Sequence, residues 1–108
     1  QGVSSAASDV YKRQGFVIEQ ILAVARPDEA WFWATHGGAE LDLLLMKEGR
    51  RVGIEIKRTD APRMTPSMRS AMTDLRLDAL YVVYPGERRF QLAERTEAVP
   101  LKALLPAP

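Results

Sequence analysis

Apolar and polar residues alternate with a period of two in two neighbouring segments, Ala39 to Met46 and Val52 to Lys57, and each carries ionisable residues inside its apolar run. Period-2 geometry places Leu41, Leu43 and Leu45 on one face of a first strand, with Glu40 and Asp42 on the other. In the second strand Val52, Ile54 and Ile56 face one way, and Glu55 and Lys57 the other. The connection from Lys47 to Arg50, with Gly49, suits a hairpin, so the two strands are predicted to lie side by side and antiparallel. Asp42, Glu55 and Lys57 then converge on one surface.

The pattern on either side of this pair completes an α/β order. From Phe16 to Arg26, the residues Phe16, Val17, Ile18, Ile21, Leu22 and Val24 wrap more than one face, which predicts a largely buried helix closed by Pro27. Glu29 to Thr35 reads as a strand with Trp31 and Trp33 on a single face, as core or sheet-covering residues. Gly37-Gly38 is a turn signal, but no helix with Lys and Ser/Thr follows it as a phosphate-binding loop requires. His36, the sole histidine, is expected as an exposed loop residue. Thr65 followed by Pro66 is a cap and first-turn pair, so a helix is predicted from Pro66 to about Leu75, with Met64, Met68, Met72 and Leu75 as its core face. Leu80 to Tyr84, ending at Pro85-Gly86, fits a buried strand parallel to its neighbour after a helical crossover. Phe90 to Glu94 suggests an edge strand and Pro100 to Leu105 a last short helix.

Composition adds bounds more than direction. One hundred and eight residues suit a single domain, and 46% hydrophobic with 27% charged residues is ordinary for a globular chain. The absence of Cys excludes a disulfide framework and thiolate chemistry and agrees with a cytoplasmic location. No apolar run approaches the roughly 20 residues of a membrane span. The net charge of +1 gives no global attraction to nucleic acid. Between Arg50 and Arg76, however, seven basic residues stand against three acidic ones. Phosphate contacts would come from this set, with Arg58, Arg63 and Arg69 as candidates.

Ionisable groups inside a half-buried strand pair carry a desolvation cost of several kcal/mol unless something compensates it. Two carboxylates one strand apart, Asp42 and Glu55, are hard oxygen ligands of the kind Mg²⁺ accepts while keeping most of its waters, which requires their oxygens to lie within about 5 Å of each other. Lys57, two residues on, can hold or deprotonate a water beside them. This is minimal equipment for metal-assisted phosphodiester hydrolysis.

Asp42 followed across a hairpin by Glu55-Ile56-Lys57, with Glu19 on the preceding helix, resembles the signature of the PD-(D/E)XK phosphodiesterase superfamily. Three blocks in order, Trp33 to Asp42, Gly53 to Lys57 and Leu80 to Gly86, resemble more closely a domain of unknown function at the C-terminus of bacterial and archaeal AAA-type ATPases. The similarity runs from about Gly15 to Leu105. It departs from the superfamily pattern where Leu41, rather than Pro, precedes Asp42. The resemblance implies a restriction-endonuclease-like αβββαβ core, a mixed sheet flanked by helices. It implies catalytic roles for Glu19, Asp42, Glu55 and Lys57, and Mg²⁺ or Mn²⁺ held by Asp42, Glu55, the Ile56 carbonyl and Glu19. The implied partners are nucleic acid, DNA before RNA, and an upstream ATPase domain, with no membrane. A catalytically silent nucleic-acid-binding or regulatory module of that ATPase requires the same residues and stands as the alternative. Residues 1–14 are small, polar and aperiodic, resemble translated adapter sequence, and are expected to form a non-native or disordered leader, leaving 15–108 as the domain.

Overall fold

The computed structural model describes residues 5–104, and side chains from residue 15 onward. In chain order it contains α1 (Ser5–Ala25), β1 (Glu29–Ala34), β2 (Glu40–Lys47), β3 (Arg50–Ile56), α2 (Pro66–Asp74), β4 (Ala79–Tyr84), β5 (Phe90–Ala93), β6 (Thr96–Pro100) and a 3-10 turn, Leu101–Leu104. The αβββαβ order expected from the sequence is present. The strands form one six-stranded mixed sheet in the order β1-β2-β3-β4-β6-β5. Strands β1, β2 and β3 form an antiparallel meander, β4 runs parallel to β3 after the α2 crossover, and β6 runs parallel to β4 with β5 antiparallel at the far edge. Among the described residues no helix is long and apolar enough to cross a membrane.

Helices cover both faces of the sheet, so the chain needs two apolar surfaces. On the α2 side, Leu41, Leu44, Met68, Ala71, Leu77, Leu80 and Val82 pack together, with Met64, Met72 and Leu75 against them. On the α1 side, Val17 and Ile21 meet Leu43, Leu45, Ile54 and Val83. The α2 start is set as expected: Thr65 caps the helix by accepting from the Met68 N–H at 3.2 Å, and Pro66 occupies the first turn, where its missing N–H costs nothing.

Four expectations need correction. Leu41, Leu43 and Leu45 do not share a face. Trp31 pairs with Leu44 while Trp33 pairs with Leu41, so β2 carries one residue more than β1 between these pairs, a β-bulge that places Asp42 and Leu43 opposite Phe32. The bulge reverses the alternation, sending Leu41 and Leu44 to the α2 core and Leu43 and Leu45 to the α1 core. Secondly, α1 buries one stripe rather than most of its surface: Val17 and Ile21 are buried, whereas Phe16 and Val24 are 56% and 59% exposed. It begins at Ser5; residues 1–4 lie outside the described residues. Thirdly, Thr96–Pro100 forms a strand that the sequence reading left unassigned, because a five-residue stretch ending in Pro carries little periodicity. It lies between β4 and β5, and among the described residues the 3-10 turn follows it. Finally, Trp31 is 47% exposed; Trp33 alone of the pair packs on the α2 core.

Gly53 shows how tightly the α2 side is packed. A Cβ there would stand 2.7 Å from Leu77 Cδ1, 3.0 Å from Leu80 Cδ1 and 3.2 Å from Leu41 Cδ2, all of them buried side chains. Replacing a glycine by alanine ordinarily stabilises by about 0.4–1 kcal/mol through the unfolded chain, but overpacking costs typically 1–3 kcal/mol. The clash is expected to win. Gly53→Ala should lower the thermal midpoint by roughly 5 °C or more, read by circular dichroism; an unchanged or raised midpoint would show that the leucines make room.

Candidate functional site

The β2–β3 ladder ends at the pair Leu43–Ile54. One position further, where Asp42 would stand opposite Glu55, the strands separate and a side chain replaces the backbone ladder: the Ile56 N–H donates to Asp42 Oδ2 at 2.7 Å. This charge-assisted bond holds the carboxylate at the mouth of the sheet. Beside it, the Asp42 and Glu55 carboxyls are hydrogen-bonded to each other. Glu55 is 5% exposed. Lys57 Nζ stands 3.9 Å from Glu55 Oε2, with Lys57 itself about one-third exposed. On the other side of β3, the Lys57 N–H continues the parallel ladder to the Val83 carbonyl at 2.8 Å.

These groups line a cleft of about 490 Å³ together with Val17, Glu40, Ile56, Arg58, Val83, Tyr84, Pro85 and Leu101. It opens at the carboxyl ends of the parallel strands β3 and β4, where α/β sheets commonly place ligand sites. Two features missing from the sequence reading brace it. The Ser67 hydroxyl accepts from the Glu40 N–H at 2.9 Å and donates to the Glu40 carbonyl at 3.0 Å, clipping the first turn of α2 to the start of β2. The Tyr84 hydroxyl donates to the Arg88 carbonyl and accepts from the Arg88 N–H at 3.3 Å, while its ring meets Phe90 edge-on at 5.7 Å. The Ser67 clip is not readable from local pattern, since it joins positions 27 residues apart that only the folded topology brings together.

The sequence candidates separate accordingly. Asp42, Glu55, Ile56, Lys57 and Arg58 meet at the cleft. Glu19 is exposed on α1 and lines neither this cleft nor its neighbour, because Val17 and Ile21 take the buried stripe and turn Glu19 away. Arg63, in the loop before α2, and Arg69, on α2, are exposed and line neither. His36 is exposed in the turn after β1, which Gly38 closes at φ +92°. Among the described residues no three of His, Cys, Asp and Glu cluster as a ligand set. The two carboxylates do suit Mg²⁺, which typically takes one or two from the protein and keeps its remaining waters.

Burial and the neighbouring Asp42 carboxyl push the Glu55 carboxyl up from its ordinary value to about 8; Lys57 pulls the other way and does not offset them. At neutral pH the pair therefore holds a proton, and Lys57 faces a carboxyl that becomes a full ion-pair partner only on deprotonation.

A family model described as a domain of unknown function, DUF4143, matches residues 13–104. The chain belongs to this family. The DUF4143 domain is also 48% identical over 92 residues to two curated relatives, the uncharacterized protein Rv2008c of Mycobacterium tuberculosis and the uncharacterized protein Mb2031c of Mycobacterium bovis. The alignment covers 85% of the chain and 21% of each relative, so the chain spans about a fifth of their length. No solved structure matches.

The raised Glu55 value fixes the sign of a pH dependence. The folded chain retains a proton that the unfolded chain releases near 4.5, so this contribution to stability is complete below that pH and is lost as the pH rises through about 8. The thermal midpoint of metal-free DUF4143 domain should fall between pH 5 and pH 8. Glu55→Gln, which keeps a neutral hydrogen-bonding group, should flatten that slope; an identical slope in the variant would show that the carboxyl pair is not the group titrating.

Proposed function

We propose that the DUF4143 domain is a metal-dependent phosphodiesterase acting on nucleic acid in the cytoplasm, in the manner of the PD-(D/E)XK superfamily that its Asp42…Glu55-Ile56-Lys57 pattern resembles. The observation that carries this reading is the Asp42–Glu55 carboxyl pair, Glu55 buried and Lys57 Nζ 3.9 Å from its Oε2, at the end of a cleft that also holds Arg58. Asp42 and Glu55 would hold Mg²⁺ or Mn²⁺, with the Ile56 carbonyl as a further oxygen; the cation would neutralise charge on the scissile phosphate. Lys57 would orient the attacking water and stabilise the negative charge that develops on the phosphate oxygens. Arg58 would hold an adjoining phosphate. Glu40, which lines the cleft two residues before Asp42, is taken as a neighbour rather than a ligand.

A second reading has one observation in its favour. A protonated carboxyl pair beside a lysine is already close to neutral, which also suits a silent binding or regulatory module. The resemblance attaches either version to an upstream AAA-type ATPase.

Lys57→Ala separates the two. It opens no apolar cavity, so the fold should persist, and it should reduce Mg²⁺- or Mn²⁺-dependent cleavage of DNA by at least about a hundredfold, the usual scale for losing a group that stabilises transition-state charge. The assay is incubation of single- and double-stranded DNA with purified protein. Cleavage at equal rates by variant and parent would place the activity elsewhere, and no cleavage by the parent under any divalent metal would leave the silent module.

A further inference from the structure

Phe32 is the most exposed of the large apolar side chains among the described residues, at 77%. Its strand neighbour Trp33 packs on the α2 core, so alternation turns Phe32 to the opposite face of the sheet, where it is left uncovered. Its position is set by the bulge: Asp42 and Leu43 together oppose Phe32, so the ring leaves edge strand β1 beside the carboxylate that forms the candidate site. A second cleft lies there, about 500 Å³ in volume and lined by Gly15, Ile18, Phe32, Trp33 and Ala34, with Glu40, Leu41 and Asp42. Glu40 and Asp42 line this cleft and the first one alike. One side of the carboxylate pair is thus aromatic and the other cationic, through Lys57 and Arg58.

A single nucleic-acid strand presents that same sequence of surfaces, a base face followed by a phosphate. In a duplex the base faces are stacked and paired, and an aromatic ring reaches them only where a base leaves the stack. A duplex grip also rests on many phosphate contacts, whereas the net charge is +1 and two acidic residues stand in the aromatic cleft. We propose that the site takes single-stranded nucleic acid, one base stacking on Phe32 in the second cleft and the following phosphates crossing Asp42 and Glu55 towards Arg58. This rests on the phosphodiesterase reading for what happens at the carboxylates, but the stacking itself does not require cleavage.

Trp33 lines the proposed base cleft and Trp31 flanks Phe32, so intrinsic fluorescence reports on it directly. The full chain would be titrated with single-stranded oligo(dT) of about 12 nucleotides, within the usual site sizes, and with a blunt DNA hairpin, at low salt without divalent metal. Tryptophan fluorescence and the anisotropy of labelled DNA would be read together. The single strand is expected to bind at least about tenfold more tightly than the hairpin. Phe32→Ala should weaken single-strand binding about tenfold, Phe32→Trp should restore it, and Arg58→Ala should lower the salt dependence by about one ion. Equal binding of the two DNAs, or unchanged affinity in Phe32→Ala, would overturn the proposal. So would self-association that Phe32→Ala abolishes in a chain that binds no single strand, since Phe32 would then serve a protein contact. If Phe32-dependent binding is found but no metal supports cleavage, the stacking site stands and the phosphodiesterase reading falls. If a duplex is cleaved with no dependence on Phe32, the reverse holds.

Discussion

Where β2 and β3 part, a carboxylate takes over from the backbone: Asp42 accepts the amide of Ile56 at 2.7 Å, and the geometry around the cleft depends on that substitution. A buried N–H that lost its ladder partner would carry a penalty of about 1–3 kcal/mol. Satisfying it with a side chain lets the strands diverge without that loss. The divergence creates the mouth, and the same bond places Asp42 against Glu55, at the ends of β3 and β4. The bulge makes the substitution possible. By shifting β2 by one residue it sends leucines to both cores and aims Asp42, with Phe32 across from it, towards the space beside α1. Sheet packing and site geometry are therefore one arrangement.

Much of this order was legible in the sequence. The meander, the Thr65-Pro66 helix start, the parallel strand ending at Tyr84 and the edge strand from Phe90 each announce themselves through local period and turn chemistry, and they appear within two residues of their expected bounds. The meeting of Asp42 with Glu55 and Lys57 was legible too, although by an argument that proved too simple. Strict alternation put three leucines on one face, but a one-residue bulge is invisible to a period-2 pattern because both registers keep a leucine in the core. Glu19 failed for a related reason. The apolar residues of its helix wrap more than one face in the sequence, whereas the structure buries only the Val17–Ile21 stripe, and a face cannot be assigned from a pattern that favours none. Gly53, Ser67 and Phe32 matter through partners distant in sequence or through the bulge, so no local rule could single them out.

The electrostatics of the cleft divide along the same line. Lys57 next to a carboxylate reads from the sequence as an ion pair, but burial and the second carboxyl dominate and hold a proton on Glu55 up to a pH of about 8. The negative charge of the pair can thus be offset in two ways, by the retained proton together with Lys57 or by a divalent cation in the proton's place. A metal can occupy the pair only by displacing the proton, because ligating carboxylates must be deprotonated. Proton release consequently distinguishes a metal site from a self-contained acidic pair more sharply than affinity does, since weak surface binding displaces nothing.

Isothermal titration of the chain with Mg²⁺ and Mn²⁺ at pH 7, repeated in buffers of different ionisation enthalpy, measures that release directly. The account predicts saturable binding with close to one proton released per metal, because a group titrating near 8 is mostly protonated at pH 7, and loss of both signals in Glu55→Gln. Metal binding with no proton released, or no binding at all, would contradict it and leave Asp42 and Glu55 as a structural pair.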